Sequence, residues 1–167
     1  MADVLTPEQR HRCMKAIKGK DTKPEIIVRK YLFSRGLRYR VNNRKLPGSP
    51  DIVLKKYKTV VFVDGCFWHA HRGCKYYRLP KSNVDFWRAK IARNIARDYV
   101  NNIDLELAGW NVIRIWECEI RTKAKREEAL QRLYYNITQS SNSGHYQSNE
   151  IDNESIAAEP IPTYGKC

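Results

Sequence analysis

Pro50-Asp51-Ile52-Val53-Leu54-Lys55-Lys56-Tyr57-Lys58-Thr59-Val60-Val61-Phe62-Val63-Asp64 is the stretch on which the fold turns. Two apolar, β-branched runs, Pro50 to Leu54 and Thr59 to Asp64, flank the polar residues 55–58 and read as strands joined by a turn. With 55–58 at the turn, facing positions sum to about 113, which sets Asp51 opposite Phe62 or Val63 and one step from Asp64. A buried strand rarely begins on an unpaired carboxylate, because burying that charge is costly. Two carboxylates at the ends of paired strands make a hard oxygen site suited to Mg²⁺, with Glu25 as the candidate third carboxylate.

Upstream, Thr6-Pro7-Glu8-Gln9 is an N-cap with proline at the first helical position, opening a basic helix to about Ile17. Thr22-Lys23-Pro24-Glu25 is a capping box that opens a second helix ending at Gly36, and Leu37 to Val41 reads as a short strand. Downstream, Phe86, Ile91, Ile95, Tyr99, Ile103 and Leu107 recur at helical spacing over Val84 to Ala108, which makes Phe86 a core residue. Trp110 to Trp116 alternates as a strand, with both tryptophans read as core, and a last helix covers Lys123 to Tyr135. The order ααβββαβα predicts one α/β domain with a mixed central sheet flanked by helices. It divides into a basic N-terminal arm (1–20), a core (21–137) and an acidic, disordered tail (138–167).

Immediately after the second strand, Cys66-Phe67-Trp68-His69-Ala70-His71-Arg72-Gly73-Cys74 packs four soft or borderline ligands into nine residues, and Cys118 follows the strand that ends at Trp116. Tetrahedral zinc takes four N/S ligands, and Cys66, His71, Cys74 and Cys118 are the chosen set for a closed, structural site. The competing reading leaves the cysteines as small buried hydrophobes. His69 remains free and is placed to accept the proton of a water attacking phosphate. Phe67 and Trp68 lie on a loop where no periodicity buries them, and Trp87 begins the long helix. Large rings beside a basic surface either pack inward or insert between base steps.

The partner follows from charge. With 31 Lys+Arg against 18 Asp+Glu and pI near 9.7, the chain suits a polyanion, most simply nucleic acid. Residues 1–58 hold 16 of the basic and 5 of the acidic side chains, so the basic surface belongs to the N-terminal part. No apolar run approaches the ~20 residues that cross a bilayer, and no basic-then-apolar secretory leader is visible. Five cysteines without such a leader predict a reducing, cytoplasmic setting.

Taken in order, Asp21-Thr22-Lys23-Pro24-Glu25, Leu46-Pro47-Gly48-Ser49-Pro50-Asp51, Val60 to His69, Phe86-Trp87…Lys90-Ile91…Asn94…Arg97-Asp98 and Gly109-Trp110…Trp116-Glu117-Cys118-Glu119 resemble the very-short-patch repair (Vsr) endonucleases over residues 5–135. The resemblance implies a restriction-endonuclease-like fold and Mg²⁺-dependent nicking on the 5′ side of T in T·G mismatches left by 5-methylcytosine deamination. It also implies a bacterial cytosine methyltransferase as functional partner and a monomeric enzyme. By position, Asp51 would bind Mg²⁺ with the Val63 carbonyl, His69 would be the base, and the four ligands above would hold zinc. Phe67, Trp68 and Trp87 would form an intercalating wedge, while the N-terminal helix with Arg12, Met14, Lys15 and Lys18 embraces DNA from the other groove. Some members carry histidine where this chain has Asp64. An ionised aspartate donates no hydrogen bond, so its role shifts toward the metal. The Arg72-Gly73 pair is one residue longer than in some members, and residues after Ile137 match nothing in the family.

Two other readings compete with mismatch nicking. A restriction-like nuclease would cut matched duplex DNA with the same carboxylates and no wedge. A zinc-stapled DNA-binding module would explain charge and cysteines but leave Asp51, Asp64 and His69 without work.

Overall fold

A computed structural model describes residues 6–139. Of the expected tail, Thr138 and Gln139 complete the last helix, and the remainder lies outside the described residues. Helix α1 (Pro7–Lys15) is capped reciprocally: the Thr6 hydroxyl accepts from the Gln9 amide at 3.2 Å and the Gln9 side chain accepts from Thr6 N–H at 2.9 Å. It ends two residues before Ile17. Helix α2 (Lys23–Ser34) starts at Thr22, whose hydroxyl donates to Glu25 Oε1 at 2.8 Å, while Glu25 Oε2 accepts from Asp21 N–H at 2.9 Å. Glu25 is thus a buried cap as well as an acid.

Four strands follow: β1 (Arg40–Val41), β2 (Ile52–Leu54), β3 (Thr59–Asp64) and β4 (Asn111–Trp116). A 3-10 turn, Lys55–Tyr57, joins β2 to β3 and is closed by Lys58 in the left-handed region at φ 49°. The hairpin pairs Ile52 with Val61, Val53 with Val60 and Leu54 with Thr59, each summing to 113 as the sequence predicted. β1 covers two residues instead of Leu37 to Val41, and β2 starts two after Pro50. Helix α3 (Val84–Leu107) returns the chain so that β4 lies parallel to β3, giving a mixed sheet in the order β1-β2-β3-β4. The short helix α4 (Glu117–Ile120), which no periodicity announced, leads into α5 (Lys123–Gln139).

Strand alternation sorts the core into two layers. Ile52, Leu54, Val61 and Ile115 face Val28 and Leu32 of α2, Ile120 of α4 and Leu130, Leu133 and Ile137 of α5. Val53, Val60 and Phe62 face Leu105 of α3, with Leu46, Trp110 and Val112 packed alongside. Each fully buried Leu, Ile or Val contributes roughly 1.5–3 kcal/mol, so the first layer carries most of the stability.

The apolar stripe expected to bury α3 points the wrong way. Ile91 and Leu105 are buried, but Tyr99 is 67% and Leu107 82% exposed, and Ile95 and Ile103 are open too. Phe86 is 54% exposed and does not belong to the core, contrary to the sequence reading. Between the buried Ile91 and Leu105 the inward face of α3 carries Asn94, Asp98, Asn101 and Asn102, because there the helix closes a polar cavity. Among the described residues no helix is long and apolar enough to cross a membrane.

Candidate active site and metal centre

The parallel register that sets Asp64 beside Trp116 carries the chain two residues further to Cys66 and Cys118 on neighbouring strand ends. The loop after β3 folds through successive turns, with His71 N–H donating to Cys66 O at 3.0 Å and Cys74 N–H to His71 O at 3.3 Å. The ligand atoms of Cys66, His71, Cys74 and Cys118 all come within 4.8 Å of one another. His71 Nδ1 lies 3.6 Å from Cys66 Sγ and 3.4 Å from Cys118 Sγ, and its ring stacks on Trp116 at 4.1 Å with planes 3° apart. Trp116, read as core, therefore backs a ligand. Burial pushes the Cys66 thiol up to about 12, and burial raises Cys118 too, whereas the Tyr76 amide lowers Cys74. Three crowded sulfurs, two of which resist ionising, suit a site that a soft divalent cation completes.

Next to this cluster a cavity of about 1100 Å³ opens between the strand ends, the start of α2, the middle of α3 and residues 17–22. Asp51 precedes β2, and its Oδ2 accepts from Val63 N–H at 2.8 Å. Burial, with the negative charges of Glu25 and Asp64 adding to it, lifts the Asp51 pKa from the usual 3.8 to about 6 against the opposing Val63 hydrogen bond. Asp64, 3% exposed at the end of β3, accepts from Arg114 Nη1 through Oδ2 and leaves Oδ1 3.8 Å from His69 Nε2. His69 Nδ1 is paired with Asp98 Oδ2. Burial alone would lower the His69 pKa, but the Asp98 hydrogen bond and the charges of Asp64 and Asp98 outweigh it and raise it. Glu25 lines the same cavity with both oxygens engaged, Oε2 also accepting from Arg29 Nη2 at 2.8 Å.

Beside the cavity mouth the rings of Phe67, Trp68 and Trp87 meet edge-on or tilted, with centroids 5.1–5.9 Å apart. Phe86 joins Trp87 at 5.3 Å, and Lys90 lies over both Trp68 and Phe86. Gly65 makes room for this cluster: a Cβ there would sit 3.3 Å from the Trp68 indole. Asn94 donates to Trp68 O at 3.0 Å and fixes the loop to α3.

Residues 11–20 are exposed throughout; Lys18 lines the cavity, whereas Arg12, Met14 and Lys15 lie away from its lining. Sequence reasoning assigned no role to Asp98 and Arg114. For Asp98 a signal exists, since Asn94, Asp98 and Asn101 recur at helical spacing and mark a polar face on α3.

Residues 2–75 match the family of the DNA mismatch endonuclease Vsr. The type II nicking enzyme V.NmeAIP of Neisseria meningitidis serogroup A is 50% identical over 137 residues, covering 82% of this chain and 97% of that enzyme. The chain belongs to the Vsr family. V.HpaIIP of Haemophilus parainfluenzae, also a type II nicking enzyme, is 49% identical over 136 residues, 80% of this chain and 96% of its own. The DNA mismatch endonuclease Vsr of Escherichia coli K12 is 40% identical over 131 residues, 78% and 83% of the two chains. As a Vsr-family protein the chain is a DNA endonuclease of mismatch repair, which sets aside a zinc-stapled module without catalysis. Nuclease chemistry of this family uses a divalent metal, and the donors at Asp51 and Asp64 are of the kind such an ion takes.

Proposed function

We propose that this Vsr-family endonuclease nicks duplex DNA on the 5′ side of T in T·G mismatches that arise by deamination of 5-methylcytosine. The observation that carries the reading is the convergence of Asp51, Asp64 and the His69–Asp98 pair on one cavity, beside a cluster of half-buried rings. Asp51 and Asp64 would hold Mg²⁺, with the Val63 carbonyl as a further donor. Their fit rests on chemistry: burial, and then the negative charges of Glu25 and Asp64, disfavour the ionised form of Asp51 until a cation arrives. When bound, Mg²⁺ neutralises phosphate charge and lowers the pKa of a water. Glu25 adds its charge to the same cavity, but its engaged oxygens make it a support for α2 before it is a ligand.

His69 acts as the general base through Nε2. Its Nδ1 is committed to Asp98, which fixes the tautomer and stabilises the imidazolium formed when the proton arrives. Cys66, His71, Cys74 and Cys118 would hold a structural Zn²⁺ that stiffens the loop carrying His69 and the rings. Phe67, Trp68 and Trp87 would enter the base stack, which costs least at a mispaired step and so favours the mismatch. The exposed basic segment with Arg12, Met14, Lys15 and Lys18 would grip the opposite groove. A restriction-endonuclease-like core, a monomeric state, a cytoplasmic location and a functional link to a cytosine methyltransferase belong to the same reading.

The test is nicking of strand-labelled duplexes that differ only in T·G against C·G. The expected product is a single nick 5′ of T, absent from the matched duplex. Equal cutting of both strands of the matched duplex would overturn the proposal in favour of a restriction-like nuclease.

A further inference from the structure

Six carboxylates line the cavity, the more exposed Asp21 and Glu117 together with Glu25, Asp51, Asp64 and Asp98. Glu25 and Asp98 are paired with Arg29 and His69, whereas Asp64 depends on a side chain from the neighbouring strand. Arg114 stands opposite Phe62 in the β3–β4 register, two residues short of the level of Asp64, and its side chain reaches forward along the strand to the carboxylate. The guanidinium is gripped on three sides. Its Nη1 donates to Asp64 Oδ2, its Nη2 donates to Asn102 Oδ1 at 2.9 Å, and its carbon lies 4.7 Å from the centroid of the Phe62 ring. A planar, permanently charged fork held this way has one resting place.

Two consequences follow for a carboxylate that is 3% exposed. An unpaired buried charge is unstable, so Arg114 supplies the counter-charge that Asp64 needs inside the fold. Because Arg114 draws on Oδ2, Oδ1 is the oxygen turned toward His69 and the cavity. The same positive charge opposes any cation that approaches Asp64.

We propose that Arg114 is a positioning residue that presents Asp64 as a single-oxygen ligand and restrains the affinity of the site for its divalent cation. This rests on the reading of Asp51 and Asp64 as the cation's carboxylates. Metal affinity is given up for geometry: the aspartate is aimed before the ion arrives, and the arginine competes with the ion for its charge.

The experiment compares Arg114→Met, Arg114→Lys, Asp64→Asn and the Asp64→Asn/Arg114→Met double variant, each with its zinc content measured. Thermal melting against Mg²⁺ concentration reads the metal alone, and single-turnover nicking of a T·G duplex reads the chemistry. Arg114→Met should melt lower without Mg²⁺ and respond to Mg²⁺ at concentrations at least ~3-fold lower than wild type. Its nicking at saturating Mg²⁺ should fall by ~10-fold or more, with Arg114→Lys recovering part of the loss. The double variant should nick no more slowly than Asp64→Asn, because Arg114 acts through Asp64. Wild-type nicking and an unchanged Mg²⁺ response in Arg114→Met, or losses that multiply in the double variant, would overturn the proposal. Should Arg114→Met fail to fold, Arg114→Lys carries the same comparison, and wild-type behaviour there is equally fatal. Full activity and an undiminished Mg²⁺ response in Asp64→Asn would instead remove Asp64 from the metal site, and the underlying reading would fall with it.

Discussion

Replacing Asp51 with Asn should stabilise the metal-free protein while abolishing its activity. In the folded chain the carboxyl is lifted from 3.8 to about 6, chiefly by burial and then by the charges of Glu25 and Asp64. At about 1.4 kcal/mol per tenfold change in proton affinity, ionising Asp51 at neutral pH costs the fold about 3 kcal/mol. The sign follows from the direction of the shift. A raised carboxyl contributes stability below its unfolded pKa, and that contribution is lost as pH rises through 3.8 and then about 6. Asparagine does not titrate, and its carbonyl oxygen can still accept the 2.8 Å hydrogen bond from Val63 N–H. The advantage of the variant should therefore be small near pH 4, grow to about 2–3 kcal/mol by pH 7 and then level off. For a domain of this size that is a rise in Tm of roughly 5–10 °C. The assay is thermal melting from pH 4 to 8 without added Mg²⁺ and without chelator, which leaves the cysteine cluster undisturbed. Mg²⁺ should then raise the Tm of the wild type and leave Asp51→Asn unmoved. A variant that melts with the wild type at every pH, or below it at pH 7, would refute the reasoning that Asp51 is held at a cost to the fold.

Other outcomes follow from the same geometry. Asp98→Asn should slow nicking by about 10-fold or more and His69→Ala by about 100-fold or more, with DNA affinity measured in Ca²⁺ within about 2-fold of wild type. Removing the thiol in Cys118→Ala should abolish stoichiometric zinc, assayed by atomic absorption, and lower the Tm. Gly48→Ala should destabilise by about 1–2 kcal/mol in urea unfolding, because Gly48 has φ 70° and a Cβ would lie 3.0 Å from Asn101 Nδ2. Trp68→Ala should cost more in nicking T·G duplexes than in binding matched DNA, as compared by kinetics and filter binding.

The hairpin was legible because two local signals agreed: β-branched runs on either side of a polar turn, and carboxylates where an apolar strand should not have them. Their register followed from turn length alone, and it brought Asp51 within reach of Val63. The cysteine cluster was legible for a similar reason, since three of its residues lie within nine positions and the fourth follows two residues after the adjacent strand. Helix α3 misled because hydrophobic periodicity assumes that the apolar face points inward. Here the cavity demands a polar inner face, and Phe86, Tyr99 and Leu107 are left outside. Arg114 was hidden by its setting. A strand of alternating Val, Ile and Trp reads as core, and the value of its one charge appears only when parallel pairing sets it near Asp64. Asp98 lies 29 residues from His69, a separation that only the packing of α3 over the strand ends bridges.

The role proposed for Asp51, Asp64 and His69 is hydrolysis of a phosphodiester that the rest of the surface binds. It is tested most directly by Asp51→Ala, followed on one T·G duplex by single-turnover nicking in Mg²⁺ and by equilibrium binding in Ca²⁺. Nicking should be at least about 1000-fold slower with binding within a few-fold of wild type, consistent with the several kcal/mol that a catalytic metal contributes. A variant that nicks at the wild-type rate would contradict it.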